Sequence, residues 1–442
     1  MKRFLSLALA LTVALTGLDT SQAAPHNTKN RDFVEVASDG KGFTLNGEPY
    51  TIRGANYWQG MNLGADDCSG GDRDRLDKEM ELLVKMGINN LRVMASSEGP
   101  DDQKQRMRPS LMYAPGEYNE GVFQGLDYLL DAMDRHGLTA VMTLNNYWQW
   151  SGGFAQYVAW IDKNQTAYPL PEGDQNWDTF TKYSARFYND TEIYEEAQGM
   201  WKKHIETVIT RRNTINGKIY RDDPVIMSWQ LANEPQEGPD AWFEETSTFI
   251  KELAPKHLVS AGIEAKLDQF DFNRAHTPKN IDYTTCHLWV ENWEIYDPSN
   301  KSSIVDAQIY ADDYVHSRAQ WATELNKPII MEEFGMARDA WIKPDDEVFK
   351  YSPDTPTAHK DQYYKGIFDN IVSLAKKRQF SGSNFWAYAG LGRSTDYPNQ
   401  YGMVWVADPP HEKRGWYSVY NTDTTVKVIE EYNSQLKALE EE

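Results

Sequence analysis

The chain has 442 residues, with 45 Lys and Arg against 66 Asp and Glu, a formal charge of −21. Such a surface repels nucleic-acid phosphates, anionic membrane faces and acidic polysaccharides, leaving neutral or cationic ligands. Two cysteines exclude a disulfide scaffold, and 16 Phe, 15 Trp and 25 Tyr beside 25% charged residues describe a globular chain rich in aromatic surface.

Lys2 and Arg3 precede an apolar run from Phe4 to Leu18, and Ser21-Gln22-Ala23 offers the small residues a signal peptidase reads. The run is about 15 residues long, short of the roughly 20 of a spanning helix. Residues 1–24 therefore read as a signal peptide, and the mature chain as periplasmic or secreted. In that compartment Cys68 and Cys286 are free to pair, although their spacing says nothing about it.

Asn46-Gly47, flanked by Phe43-Thr44-Leu45 and Tyr50-Thr51-Ile52, predicts a tight hairpin. Apolar strand candidates then follow at Tyr50–Trp58, Ile88–Met94, Thr139–Trp148, Val225–Ala232, Leu258–Ile263, Ile281–Trp289, Pro328–Phe334 and Gly382–Tyr388. Helical periodicity falls between them: Leu126, Leu129, Leu130 and Met133 repeat at i, i+3, i+4, i+7, as do Tyr364, Ile367, Phe368, Ile371 and Leu374. Met200–Arg212, Ser317–Leu325 and Val426–Leu439 also read as helices. Eight strands alternating with helices predict an α/β fold, a (β/α)8 TIM barrel, in one domain over residues 25–442. A doubly wound sheet competes, but no glycine-rich phosphate turn follows an early strand. Segments after strands are long (Ala95–Asn119, Gln149–Asp190, Val290–Asp306, Gly335–Thr357, Ala389–Asp423), and returns to the next strand are short. The long segments would share one barrel face, the face where barrel enzymes place their sites. They carry Trp150, Trp160, Trp177, Trp293, Trp341 and Trp405, so an aromatic-lined cleft is expected there.

Two segments carry chemistry. Ser228-Trp229-Gln230-Leu231-Ala232-Asn233-Glu234-Pro235 ends the fourth strand, and Ile329-Ile330-Met331-Glu332-Glu333-Phe334-Gly335 ends the seventh. Paired carboxylates at strand ends are what glycoside hydrolysis needs: one protonates the leaving oxygen, the other attacks the anomeric carbon or activates water. A glutamate at a strand end also serves in structural ion pairs, so neither residue is decisive alone.

Asn-Glu-Pro after strand four and Glu-Phe-Gly after strand seven resemble glycoside hydrolase family 5, a family of retaining barrel hydrolases. Within it the chain resembles the β-mannanases over almost the whole mature length. Supporting segments are Asn90-Leu91-Arg92-Val93, Leu144-Asn145-Asn146-Tyr147-Trp148 with Ser151-Gly152-Gly153, Asp222-Asp223-Pro224, and Thr285-Cys286-His287-Leu288-Trp289 with Asn292-Trp293. The resemblance implies Glu234 as acid/base and Glu333 as nucleophile. It also implies Arg92 holding Glu333 ionised, Asn233 bonding the sugar 2-hydroxyl and His287 tuning the acid/base. Trp386 would be the floor beneath the sugar in the −1 subsite, with Asn145 and Trp148 lining the cleft. Glu332 is the rival nucleophile, expected on the other face of its strand. Many family members carry His-x-Tyr after strand six, whereas this chain has His287-Leu288-Trp289, so an indole N–H would stand in for the tyrosine hydroxyl at the nucleophile. Trp289 and the Trp148–Gly153 run look most like a bacterial branch that includes enzymes cutting mannose from chain ends. Endo action on β-1,4-mannan is the first expectation, with exo-mannosidase and β-glucanase specificities, and a non-catalytic sugar-binding barrel, as alternatives.

No His-x-x-x-His, Cys-x-x-Cys, Gly-x-Ser-x-Gly or phosphate-loop spacing occurs, so no metal or other cofactor is expected. Asp66-Asp67 and Asp345-Asp346 are paired loop acids, which are usually solvated. The expected partner is β-mannan or a manno-oligosaccharide, with no nucleic acid, membrane or protein partner.

Overall fold

A computed structural model describes residues 31–162 and 176–441; the expected signal peptide lies outside them. Eight parallel strands form one sheet: β1 (Ile52–Asn56), β2 (Asn90–Met94), β3 (Thr139–Thr143), β4 (Ile226–Gln230), β5 (Leu258–Ser260), β6 (Thr284–Leu288), β7 (Ile329–Phe334) and β8 (Gly382–Phe385). The neighbour order is β5-β4-β3-β2-β1-β8-β7-β6. Two backbone bonds join its ends, Asp282 N to Val259 O at 2.8 Å and His287 N to Glu264 O at 2.9 Å. The sheet is therefore a closed barrel, with no edge left to pair. All eight expected strands are present, each shorter than its apolar run; most runs continue into buried post-strand turns, while those of β2 and β7 exceed their strands only at the start.

A helix follows each strand: α1 (Arg73–Lys85), α2 (Glu120–Arg135), α3 (Tyr194–Ile209), α4 (Asp240–Leu253), α5 (Gln269–His276), α6 (Ile304–Leu325), α7 (Ala358–Ala375) and α8 (Thr425–Glu440). Local sequence sets their starts: Asp72, Asn119 and Asp268 accept from the first-turn N–H groups of α1, α2 and α5, each cap worth about 1 kcal/mol. α2 buries Val122, Phe123, Leu126, Leu129, Leu130 and Met133 along one side, the stripe expected of a helix laid on a sheet. α6 begins at Ile304, well before the expected Ser317, and ends on Asn326 in the left-handed region. The Asn46-Gly47 turn has φ of 55° and 82° and joins Phe43–Leu45 to Glu48–Tyr50. This hairpin packs Phe43 and Tyr50 with Ile52, Met227, Leu258, Tyr283 and Ile330. Those residues stand at or near the strand starts, so the hairpin plugs the barrel end opposite the strand C-termini.

Cys68 is exposed and Cys286 lies buried in β6; both are free, which removes the possible disulfide. The paired acids act as caps, Asp66 accepting from Ser69 N and Asp346 from Val348 N and Phe349 N.

Candidate active site

The C-terminal ends of the strands surround a cavity of about 570 Å³ lined by Trp148, Trp150, Glu234, Trp289, Glu333 and Trp386, among others. Glu234 reaches it because β4 runs on past Gln230 and stays bonded on both sides. Asn233 N donates to Asn145 O at 2.9 Å, and Glu234 N to Gly262 O at 2.9 Å. Glu234 itself has φ 50°, a left-handed conformation of the kind that concentrates at functional sites. Glu333 stands on β7 beside β6, opposite His287. Gly335 after it is required by packing: a Cβ there would lie 2.9 Å from the Trp289 ring.

A Glu234 carboxylate oxygen, a Glu333 carboxylate oxygen and a His287 ring nitrogen all lie within 4.8 Å of one another. Arg92 Nη1 donates to Glu333 Oε1, and Trp289 Nε1 to Glu333 Oε2 at 3.2 Å. Glu234 is bonded to His287 Nδ1 at 2.6 Å and accepts from Trp148 Nε1 at 2.5 Å. Arg92 is itself held by Gln230, Asn56 and Asn233. Burial pushes the Glu333 carboxyl above the ordinary carboxylate range, against the pull of His287 and Arg92. Burial also raises Glu234, but the His287 bond and charge, Trp148 and Arg92 outweigh it and hold that carboxyl below the ordinary range. His287 is pushed up to about 10: burial opposes its charge, and the carboxylates around it more than compensate. Groups this close exchange protons as one system.

The expected site residues divide into two layers. Trp148, Asn233, Glu234, Trp289, Glu333 and Trp386 line the cavity. Arg92, Asn145 and His287 are buried behind it. Asn145 supports the wall from beneath, its carbonyl receiving Asn233 N, and does not line the cleft as expected. Of the other tryptophans, Trp150, Trp177 and Trp293 line the cavity, while Trp58 packs edge-on against Trp150 and Trp405. Trp150 is fixed from outside the cavity. Glu98, buried, accepts from Gly153 N at 2.9 Å, and its own N–H donates to Ser151 O at 2.7 Å. Gly153 has φ 61°, and a Cβ there would lie 2.2 Å from Asn146 O, so the Gly-Gly step is required for this turn.

Glu332 corrects the expectation from strand alternation. Cys286 pairs with Met331 but His287 pairs with Glu333, so Glu332 is the extra residue of a β-bulge. Its side chain is fully buried and reaches Gln230, 2.6 Å away, inside the barrel instead of behind its wall.

Several cavity residues carried no signal in the sequence. Glu264, after β5, accepts from Trp293 Nε1 at 3.0 Å, and burial followed by the nearby Glu234 charge pushes it up to about 8. Pro409, His411 and Glu412 come from the long segment after β8. Burial pushes the Glu412 carboxyl well above the ordinary range, helped by the charges of Asp408, Glu291 and Glu333, and its Oε2 has no partner among the described residues. Behind this wall Glu291 accepts from Trp416 Nε1 at 2.9 Å and Tyr417 OH at 3.1 Å.

Glu234, His287 and Glu333 are also the one group of three potential metal ligands this close together among the described residues. Arg92, Trp148, Trp289 and His287 already occupy the carboxylate oxygens, so a cation would have to displace these contacts.

Comparison with known proteins gives a consistent family. A family model described as "GH family 5 beta-mannosidase-like" matches residues 31–441. A curated mannan endo-1,4-β-mannosidase 5 from Solanum lycopersicum is 30% identical over 393 residues, covering 83% of each chain. The crystal structure of a glycoside hydrolase family 5 mannosidase from Rhizomucor miehei is 68% identical, with TM-score 0.91, covering 92% of this chain and 98% of that one. Two further structures of the Rhizomucor miehei mannosidase each carry one glutamate-to-alanine change, one of them in complex with mannosyl-fructose.

Proposed function

The chain belongs to the glycoside hydrolase family 5 mannosidases, and from that membership we propose that it cleaves β-1,4-mannosidic bonds by double displacement, with Glu333 as nucleophile and Glu234 as acid/base. The observation that carries the mechanism is the approach of the two carboxylates to within 4.8 Å at one barrel face. Retaining glycosidases hold their pair at about 5–5.5 Å, whereas inverting enzymes leave about 6.5–9.5 Å for a water. The two alanine positions in the Rhizomucor miehei structures are separated by the same number of residues as Glu234 and Glu333, which supports the same assignment.

In the first step Glu333, oriented by Arg92 and Trp289, attacks the anomeric carbon. The proton held between His287 Nδ1 and Glu234 Oε1 passes through Glu234 to the leaving oxygen. In the second step Glu234 takes a proton from water, which displaces Glu333 from the sugar. Trp386 and Trp150 present ring surface to the pyranose, whose C–H groups pack against aromatic faces. The β-anomer of the product is therefore released first, and proton NMR of the initial product detects it. First formation of the α-anomer would rule out double displacement.

Exo action is favoured over endo action by the wall after β8. The leaving group lies on the side of the acid/base, so the glycone lies toward Glu333. Pro409, His411 and Glu412 line the cavity, and Glu412 lies near enough to Glu333 for each charge to raise the other's proton affinity. A protonated Glu412 has a free O–H for a hydroxyl of a terminal mannose. Mannohexaose should then lose one mannose at a time, with mannan viscosity unchanged. Early di-, tri- and tetrasaccharides with falling viscosity would establish endo action.

A further inference from the structure

One carboxylate of the site has no part in the two steps above. Glu332 is fully buried beneath the catalytic pair, placed there by the bulge in β7. Its Oε2 accepts from Gln230 Nε2 at 2.6 Å and its Oε1 from Tyr283 OH at 3.4 Å. Arg92 Nε lies 3.8 Å and His287 Nε2 3.7 Å from the same Oε2. His287 Nε2 has no hydrogen-bond partner closer than this among the described residues. Arg92 and His287 thus stand between Glu332 and a catalytic carboxylate: Arg92 also holds Glu333, and His287 also holds Glu234.

We propose that Glu332 is a positioning residue that keeps His287 charged and thereby sets the protonation of the catalytic pair; this rests on the assignment of Glu234 and Glu333 above. A buried imidazolium is stable only beside a compensating charge. A carboxylate 3.7 Å from His287 Nε2 supplies such a charge on the side of the ring away from Glu234, so the ring keeps the proton it shares with Glu234 until the leaving oxygen takes it; without the Glu332 charge that proton is lost at lower pH. Glu332 is also the one such charge that substrate does not touch. The titratable or charged groups around it are Arg92 from β2, Glu234 beyond β4, His287 and Cys286 from β6, Tyr283 before β6, and Glu333 on its own strand. Glu264 faces His287 from the end of β5.

Glu332→Gln keeps the shape and the Gln230 contact and removes the charge. Because a negative neighbour raises every nearby pKa, both limbs of the kcat/KM–pH profile on an aryl β-mannoside should move to lower pH, by about one unit. Glu332→Asp, which retains the charge, should leave both limbs where they are in the wild type. Limbs unmoved in Glu332→Gln would overturn the proposal, whatever the loss of amplitude, since a merely structural role lowers activity without moving them. A wild-type measurement stands beside it. Nitrogen NMR of labelled histidine, with His287 assigned by its loss in His287→Asn, should show both ring nitrogens protonated at pH 8, and a neutral ring there would also overturn the proposal. Glu333→Ala separates the two claims: inactivity there with unmoved limbs in Glu332→Gln sinks the role of Glu332 alone.

Discussion

Glu333→Ala should retain the fold and lose about 10⁴-fold or more in kcat on an aryl β-mannoside, the scale at which removing a nucleophile removes the pathway it opens. The fold survives because the substitution does not orphan Arg92. That guanidinium keeps Gln230 at 2.9 Å, Asn56 at 3.0 Å, Asn233 at 2.7 Å and Glu332 at 3.8 Å. Trp289 loses an acceptor at a wall that faces the cavity, where water replaces it. Circular dichroism and a melting curve check the fold, and initial rates check the chemistry. A variant that hydrolyses at the wild-type rate means that attack comes from another group.

Glu234→Ala should separate substrates by their leaving groups. Mannobiose needs its departing oxygen protonated, so its hydrolysis should fall by about 10²–10⁴-fold. A dinitrophenyl β-mannoside needs no such help, so Glu333 should still displace the phenol quickly. The second step then lacks its base, and a burst of one equivalent of phenol should precede slow turnover. Azide, which attacks without a general base, should speed that turnover and yield β-mannosyl azide. Equal losses on both substrates, with no burst, would move the acid/base role away from Glu234. Glu264 would then be the next carboxyl to test, because burial and the Glu234 charge already push it up to about 8.

Much of the barrel was legible because its strands are buried on both faces and read as unbroken apolar runs. The Asn46-Gly47 hairpin was legible because few other pairs supply two positive φ angles in sequence. Glu234 and Glu333 were legible because strand order places their segments on one face. Helices Gly153–Ile161 and Trp177–Asn189 were hidden inside a long post-strand segment. The first is buried almost all round, so it lacks the polar stripe by which a surface helix is recognised. Glu332 was misplaced for a similar reason: period-two alternation holds only while the register holds, and a bulge leaves no mark in the residues themselves. The cavity wall was not legible either. Glu264, His411 and Glu412 reach the site through the tertiary course of turns after β5 and β8, and no local pattern records it.

The pairing of Glu234 with Glu333 is the central claim, and it is tested most directly by trapping the intermediate. A 2-deoxy-2-fluoro-β-mannosyl fluoride slows both steps but speeds formation relative to breakdown, so the sugar should remain bound to the protein. Mass spectrometry of the digested protein should then place one fluoromannosyl group on Glu333, within Ile329-Ile330-Met331-Glu332-Glu333-Phe334. A label on Glu332, or inactivation with no covalent sugar anywhere, would contradict the account.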